Sequence, residues 1–286
     1  MQNFRVDVQL KYEGELAENG QLDFYDAAQA LLGFQRSIAL TTHFVINGKV
    51  ITQAPSLKGA EIIIQPPKKG SWIVVATVLG GLGYLGTRPK DTPIGHIVTS
   101  AYDYVLRRTM GIKVDFDKTI GELLDDKKQR DGILLSEGRF DDLAEKCEYA
   151  IKEMHRPVVH SQAAERGRLS RIERGQIVPL KTRLTEQTYE ALDFERKSNV
   201  CRIYEGLVSG YNVNTKKGRF YIKELSRTVP FIIADSYAAP AVASRIARNM
   251  ERLASGDLNA TLKFEAFENQ SRNGRLRSLI VVQIKD

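Results

Sequence analysis

Lys216, Lys217, Arg219, Tyr221 and Lys223 crowd one short stretch of the chain, and the last three are spaced two apart. In an extended strand that spacing puts Arg219, Tyr221 and Lys223 on one face and Phe220 and Ile222 on the other. Cationic side chains meet phosphates, and a phenol ring stacks on a base whatever its identity. Tyr211 precedes the set, and Arg272, Arg275 and Arg277 surround Asn273-Gly274, a turn-forming pair. These nine residues form a candidate nucleic-acid surface: a strand face with an aromatic ring, flanked by basic turns.

Other chemistry finds less support. The histidines are His43, His96, His155 and His160, and His155 and His160 stand five apart across Pro157, so they cannot share a helical face as paired metal ligands do. Glu148 and Glu153 near His155 do not complete a metal or acid–base set; a helix-end histidine beside the C-terminal dipole is the simpler reading. Cys147 reads as a buried, inert thiol. Gly81, Gly83 and Gly86 match the dinucleotide-binding pattern after an apolar strand, but Pro89 and Pro93 forbid the helix that must open there to hold a pyrophosphate. The expectation is a protein with no cofactor, no metal and no catalytic residues.

The chain has 286 residues with 42% hydrophobic and 27% charged side chains, ordinary values for about two globular domains. Two cysteines exclude a disulfide scaffold and point to a reducing cytoplasm, and the first ten residues have no apolar signal core. The net charge of +7 is unevenly distributed: residues 199–286 hold 14 basic and 8 acidic side chains, whereas residues 1–198 hold 28 and 27. A local cationic surplus concentrates polyanions.

The elements that position these residues follow from periodicity. Phe4 to Tyr12 alternates as a strand, and Ala27, Leu31, Phe34, Ile38, Thr41 and Val45 mark a helix running from an Asp23 cap to Asn47-Gly48. AEIIIQ and WIVVATV read as a hairpin, and Ile94, Ile97, Val98, Ala101, Val105 and Leu106 as the apolar face of a second helix ending at Gly111. The uncharged run from Ser71 to Thr87, with four glycines, is at the short limit for a membrane span, so membrane contact is not expected and a buried strand with a glycine turn is. A further helix covers Phe140 to His155, and AAERGRLSRIERG, with Arg166, Arg168, Arg171 and Arg174, reads as a solvated connector. The predicted organisation is α+β: an antiparallel sheet with helices over residues 1–115, a helical connector over 116–198, and a barrel over 199–286.

The last part reads strand, strand, strand, helix, strand, strand. Gly206-Leu207-Val208-Ser209-Gly210-Tyr211-Asn212 followed by Lys217-Gly218-Arg219-Phe220-Tyr221-Ile222 resembles the opening of cold-shock and related oligonucleotide/oligosaccharide-binding (OB) domains. That resemblance implies a five-stranded barrel with one helix, whose second and third strands carry the ligand. Gly210 and Arg219 occupy positions where that family carries stacking aromatics, which implies phosphate contact with limited stacking. The expected partner is nucleic acid, single-stranded by preference. The layout as a whole distantly resembles accessory or effector proteins of bacterial defence operons. The alternative expectation is therefore a regulatory or protein-interaction subunit that forms homo-oligomers or meets a partner or membrane through residues 71–87.

Overall fold

The structure, a computed structural model, describes residues 4–65, 72–80, 93–125, 135–257 and 259–285. It is a mixed α+β chain in two units, Met1–Asp193 and Phe194–Asp286, each with its own five-stranded sheet. The charge divides cleanly between them. Residues 1–193 hold 26 basic and 26 acidic side chains, so the whole surplus of +7 belongs to residues 194–286.

In the first unit the strands are β1 (Phe4–Glu13), β2 (Ala60–Ile64), β3 (Ile73–Gly80), β4 (Arg166–Glu173) and β5 (Gln176–Leu184). They pair antiparallel in the order β2-β3-β1-β4-β5. Alternation in β1 sends Phe4, Val6, Val8, Leu10 and Tyr12 into a core shared with helices α1 (Phe24–Asn47), α2 (Pro93–Thr109) and α3 (Glu137–Met154). Asp23 caps α1 by accepting from Asp26 N at 2.9 Å, and Gly48, at φ 64°, closes it with a hydrogen bond to Phe44 O at 2.8 Å. Gly33 lets α1 and α3 touch: a Cβ there would stand 2.2 Å from Ala150 O. Residues Ile73–Gly80 of the uncharged run are β3, paired on one edge with β1 and on the other with β2, and buried from Val74 onward. That strand is therefore not a free surface for a membrane or a partner. Residues 81–87, with the glycine pattern, lie outside the described residues. Among the described residues no helix is long and apolar enough to cross a membrane.

Residues 116–198 are not the helical connector that the sequence suggests. Helix α3 buries Phe140, Leu143, Cys147, Ile151 and Met154 in the first unit's core, each large apolar side chain contributing roughly 1.5–3 kcal/mol. The arginine-rich stretch is β4, an interior strand between β1 and β5. Arg174 and Gly175, at φ 47° and 81°, form the two-residue turn into β5. The alternation was hidden because Gly167, Leu169 and Arg171 hold the inward positions, leaving one apolar residue to mark the face. Gly167 leaves room for the rings and methyls opposite: a Cβ would lie 3.0 Å from Tyr12 Cε1 and 2.8 Å from Leu184 Cδ1. Helix α4 (Glu186–Asp193) ends the unit.

The second unit contains β6 (Arg196–Asn212), β7 (Lys217–Ile222), β8 (Arg227–Ile233), helix α5 (Pro240–Ala254), β9 (Leu262–Gln270) and β10 (Leu276–Lys285). The strands pair in the cyclic order β10-β8-β7-β6-β9, closed by β9 with β10. Only β10 with β8 is parallel among the described pairs. Strand β6 is long enough to serve two neighbours, and the handover falls at Gly206, which pairs with Leu262 of β9 and Ile222 of β7. Val208, Phe220, Ile222, Val229, Phe231, Phe264, Leu279 and Val281 fill the interior, where Val242 and Ile246 of α5 join them. Asn249 fastens the helix: its side-chain oxygen accepts from Val208 N at 3.3 Å and its amide donates to Ala260 O.

Candidate nucleic-acid interface

Alternation along β7 settles which side chains share a face. Phe220 and Ile222 are fully buried in the barrel, so Lys217, Arg219 and Tyr221 project outward. Across the ladders, Arg219 meets Pro230 of β8 and Gly210 of β6, Tyr221 meets Thr228 and Leu207, and Lys217 meets Ile232 and Asn212. The outer surface is thus a shallow floor of Leu207, Thr228, Pro230 and Ile232 beside two cations and a ring. Sequence reasoning missed this β8 contribution, although the alternation of Thr228, Pro230 and Ile232 with buried Val229, Phe231 and Ile233 is its signal.

The two basic turns border this floor at opposite ends of β8. Ile233 N, at the strand's end, donates to Lys216 O at 3.0 Å, which places the β6–β7 turn there. Arg227 Nη1, at its start, donates to Leu276 O at 3.3 Å, which places the β9–β10 turn there. The first turn is shaped by Asn212, whose side chain accepts from Asn214 N and Thr215 N at 3.0 and 3.1 Å, with Lys216 at φ 57°.

Several predicted residues stand elsewhere or are already engaged. Tyr211 turns inward: its ring packs on Phe231 at the end of the barrel core, because it pairs with Gly218 on the interior side of the ladder. Arg275 is only 2% exposed, since Ser271 and Arg275 close the hairpin by mutual hydrogen bonds and draw its side chain against the protein. Arg277 is held by Glu195 at 3.4 Å and by Phe194 O at 3.3 Å, leaving 13% of the side chain exposed. Of the three arginines at this turn, Arg272 is the exposed one.

Lys223 lies just past β7, with Nζ 3.0 Å from Glu205 Oε1, and Lys216 Nζ is 2.9 Å from Asp235 Oδ1. The hydrogen bond from Lys223 holds the Glu205 carboxyl below the usual range, and that from Lys216 does the same for Asp235. Such exposed pairs hold their partners weakly and yield to a competing phosphate. On α5, Arg245 donates to Ile284 O and Lys285 O at 3.1 and 3.0 Å, tying the helix to the end of β10.

The other chemical candidates resolve as structural. His155 is fully buried, with Nδ1 2.7 Å from Ile151 O and Nε2 2.9 Å from Thr188 Oγ1. Burial lowers its pKa to about 4, so it sits neutral rather than as a cation at the helix end. Burial pushes the Cys147 thiol up to about 12, which suits an inert core residue.

No curated protein and no solved structure matches the chain. Residues 201–285, within the barrel unit, match the family of unknown function DUF7947. Residues 8–193, well over half of the chain and ending where the first unit ends, match the domain of unknown function DUF7946, and the chain belongs to that family.

Proposed function

We propose that residues 194–286 form an OB-like barrel that binds single-stranded nucleic acid with weak sequence preference and without catalysis. A five-stranded arrangement with its helix between the third and fourth strands supports the fold reading, because an OB barrel offers its second and third strands as the ligand surface. The observation that carries the functional reading is the common outer face of Lys217, Arg219 and Tyr221, set between two basic turns. The confinement of the charge surplus to this unit adds to it. Lys216, Lys217, Arg219 and Arg272 would meet phosphates, releasing counterions, and Tyr221 would stack on one base. With a single open ring on the face and no recognition helix among the described residues, base identity has little purchase.

The test is fluorescence anisotropy of the full-length chain with single- and double-stranded oligonucleotides over a salt series. Binding that weakens steeply with salt and prefers single strands is expected. A protein that ignores oligonucleotides at low salt, yet forms a salt-insensitive assembly, would replace this reading with that of a protein-interaction subunit.

A further inference from the structure

The arginine run of the first unit has no part in the barrel, and β4 sorts it by face. Arg171 pairs with Val8 on the helix-covered side, its Nε 2.9 Å from Glu173. Arg166 and Arg168 face the opposite side of the sheet. There Lys11 of β1 stands across from Arg168 of β4, which stands across from Arg183 of β5. Three cations therefore form one row over three adjacent strands, with neighbouring Cβ atoms about 5 Å apart.

Like charges directly opposite one another destabilise a sheet. Glu13 offsets part of that cost: Lys11 Nζ is 3.0 Å from its Oε1, and the Nε atoms of Arg166 and Arg168 are each 2.9 Å from its Oε2. Burial alone would raise the Glu13 pKa, but hydrogen bonds from Lys11 and Arg166 more than reverse that and lower it. Glu165 adds a longer contact to Arg166 at 3.8 Å. One carboxylate is thus shared by three cations. The Nε of Arg168 lies out of line for a hydrogen bond despite its closeness to Glu13, and the Arg183 side chain has no charged partner among the described residues. Set against Glu13 and Glu165, with Glu18 also acting on Arg166, the four cations Lys11, Arg166, Arg168 and Arg183 keep a net positive charge.

The row is reachable, with side-chain exposures of 30% for Lys11 and 41% for Arg168 and with Arg183 open to solvent. It lies flat along the sheet for about 10 Å, two strand spacings. We propose that Lys11, Arg168 and Arg183 form a phosphate-binding row on the first unit that takes the phosphodiester backbone of a nucleic acid. The reading does not depend on the barrel, since its residues belong to the other unit. A flat row suits a linear polyanion better than a single enclosed phosphate, and the two guanidinium groups can each bind phosphate oxygens in bidentate fashion.

The experiment compares the full-length wild type with R183Q, with R168Q/R183Q and with the barrel variant R219Q/Y221A. The probe is a labelled single-stranded oligonucleotide of about 20 nucleotides, titrated between roughly 50 and 200 mM salt. R168Q/R183Q is expected to weaken binding about 5- to 10-fold at low salt and to flatten the log–log salt slope by about 1.4, or 0.7 per lost phosphate contact. R183Q, at an exposed position with no charged partner among the described residues, should weaken binding about 2-fold with an unchanged melting temperature, which separates the effect from misfolding. Unchanged affinity and slope in both sheet variants would overturn the row whatever R219Q/Y221A does. A loss confined to the sheet variants would support it and leave the barrel without its proposed ligand. Inorganic pyrophosphate that displaced the oligonucleotide at equal phosphate concentration would show a single-phosphate site and overturn the phosphodiester assignment.

Discussion

The ring of Tyr211 lies parallel to that of Phe231, with centroids 6.0 Å apart and planes 2° apart, while Tyr221, on the neighbouring strand, faces outward. Two tyrosines that look alike in sequence therefore do different work. Tyr211→Ala should lower stability by about 2 kcal/mol through lost packing and leave the affinity of the folded protein within 2-fold. Tyr221→Ala should change stability by less than about 0.5 kcal/mol and cost about 1–3 kcal/mol of binding. Denaturant unfolding and oligonucleotide anisotropy on both variants check the pair of outcomes, and a reversal would show that the inner ring is the ligand contact.

Lys216 is held by Asp235 at 2.9 Å on an exposed turn. Asp235→Asn should remove the carboxylate that competes with phosphate for the lysine, tightening oligonucleotide binding about 2- to 3-fold with little change in the salt slope, since the lysine already meets a phosphate in the wild type. An unaltered affinity would place Lys216 outside the footprint.

His155 makes stability depend on pH in a stated direction. Its Nδ1 carries the proton donated to Ile151 O, leaving Nε2 to accept from the Thr188 hydroxyl. The folded pKa is about 4, against an unfolded value of about 6.5. Between those values the unfolded chain binds a proton that the folded chain refuses, so stability falls as the pH drops from about 6.5 to about 4. The loss is on the order of 3 kcal/mol. His155→Gln should show a flatter profile over that window in urea titrations, and superimposable profiles would mean that the ring is protonated in place.

The two glycines of β6 are unequal. At Gly206 a Cβ would stand 1.9 Å from Tyr221 O and 2.9 Å from Phe220 Cζ, whereas at Gly210 no atom lies within 4 Å. Gly206→Ala should therefore cost about 3 kcal/mol by forcing β6 and β7 apart at the handover from β9. Gly210→Ala should fall within about 0.5 kcal/mol of the wild type. Equal melting temperatures for the two variants would contradict the pairing at Gly206.

Local patterns were legible where one face of an element is uniformly apolar. Helix α1 runs between its aspartate cap and its glycine stop as the spacing predicts, and the second unit shows the predicted order of three strands, a helix and two strands. The outward set of β7 was readable because Phe220 and Ile222 mark the inward one. Strand β4 was not readable, since its inward positions hold a glycine and an arginine that packing with Tyr12, Leu184 and Glu173 makes tolerable. The candidate site was legible in part for the same reason. Arg219, Tyr221 and Lys217 follow from alternation, but Tyr211, Arg275 and Arg277 depend on which way a bulged strand and a hairpin turn.

By itself the sequence determined the helices, most strands, the basic character of the C-terminal part and the alternation that exposes Arg219 and Tyr221, because each depends on neighbours a few residues away. Only the tertiary structure decided that β4 and β5 complete the first sheet, that Tyr211 packs on Phe231 and Arg275 is buried, and that Lys11, Arg168 and Arg183 share one row. Those relationships join residues far apart in the chain through strand register, and register is set by the packing of whole faces rather than by any local run of residues.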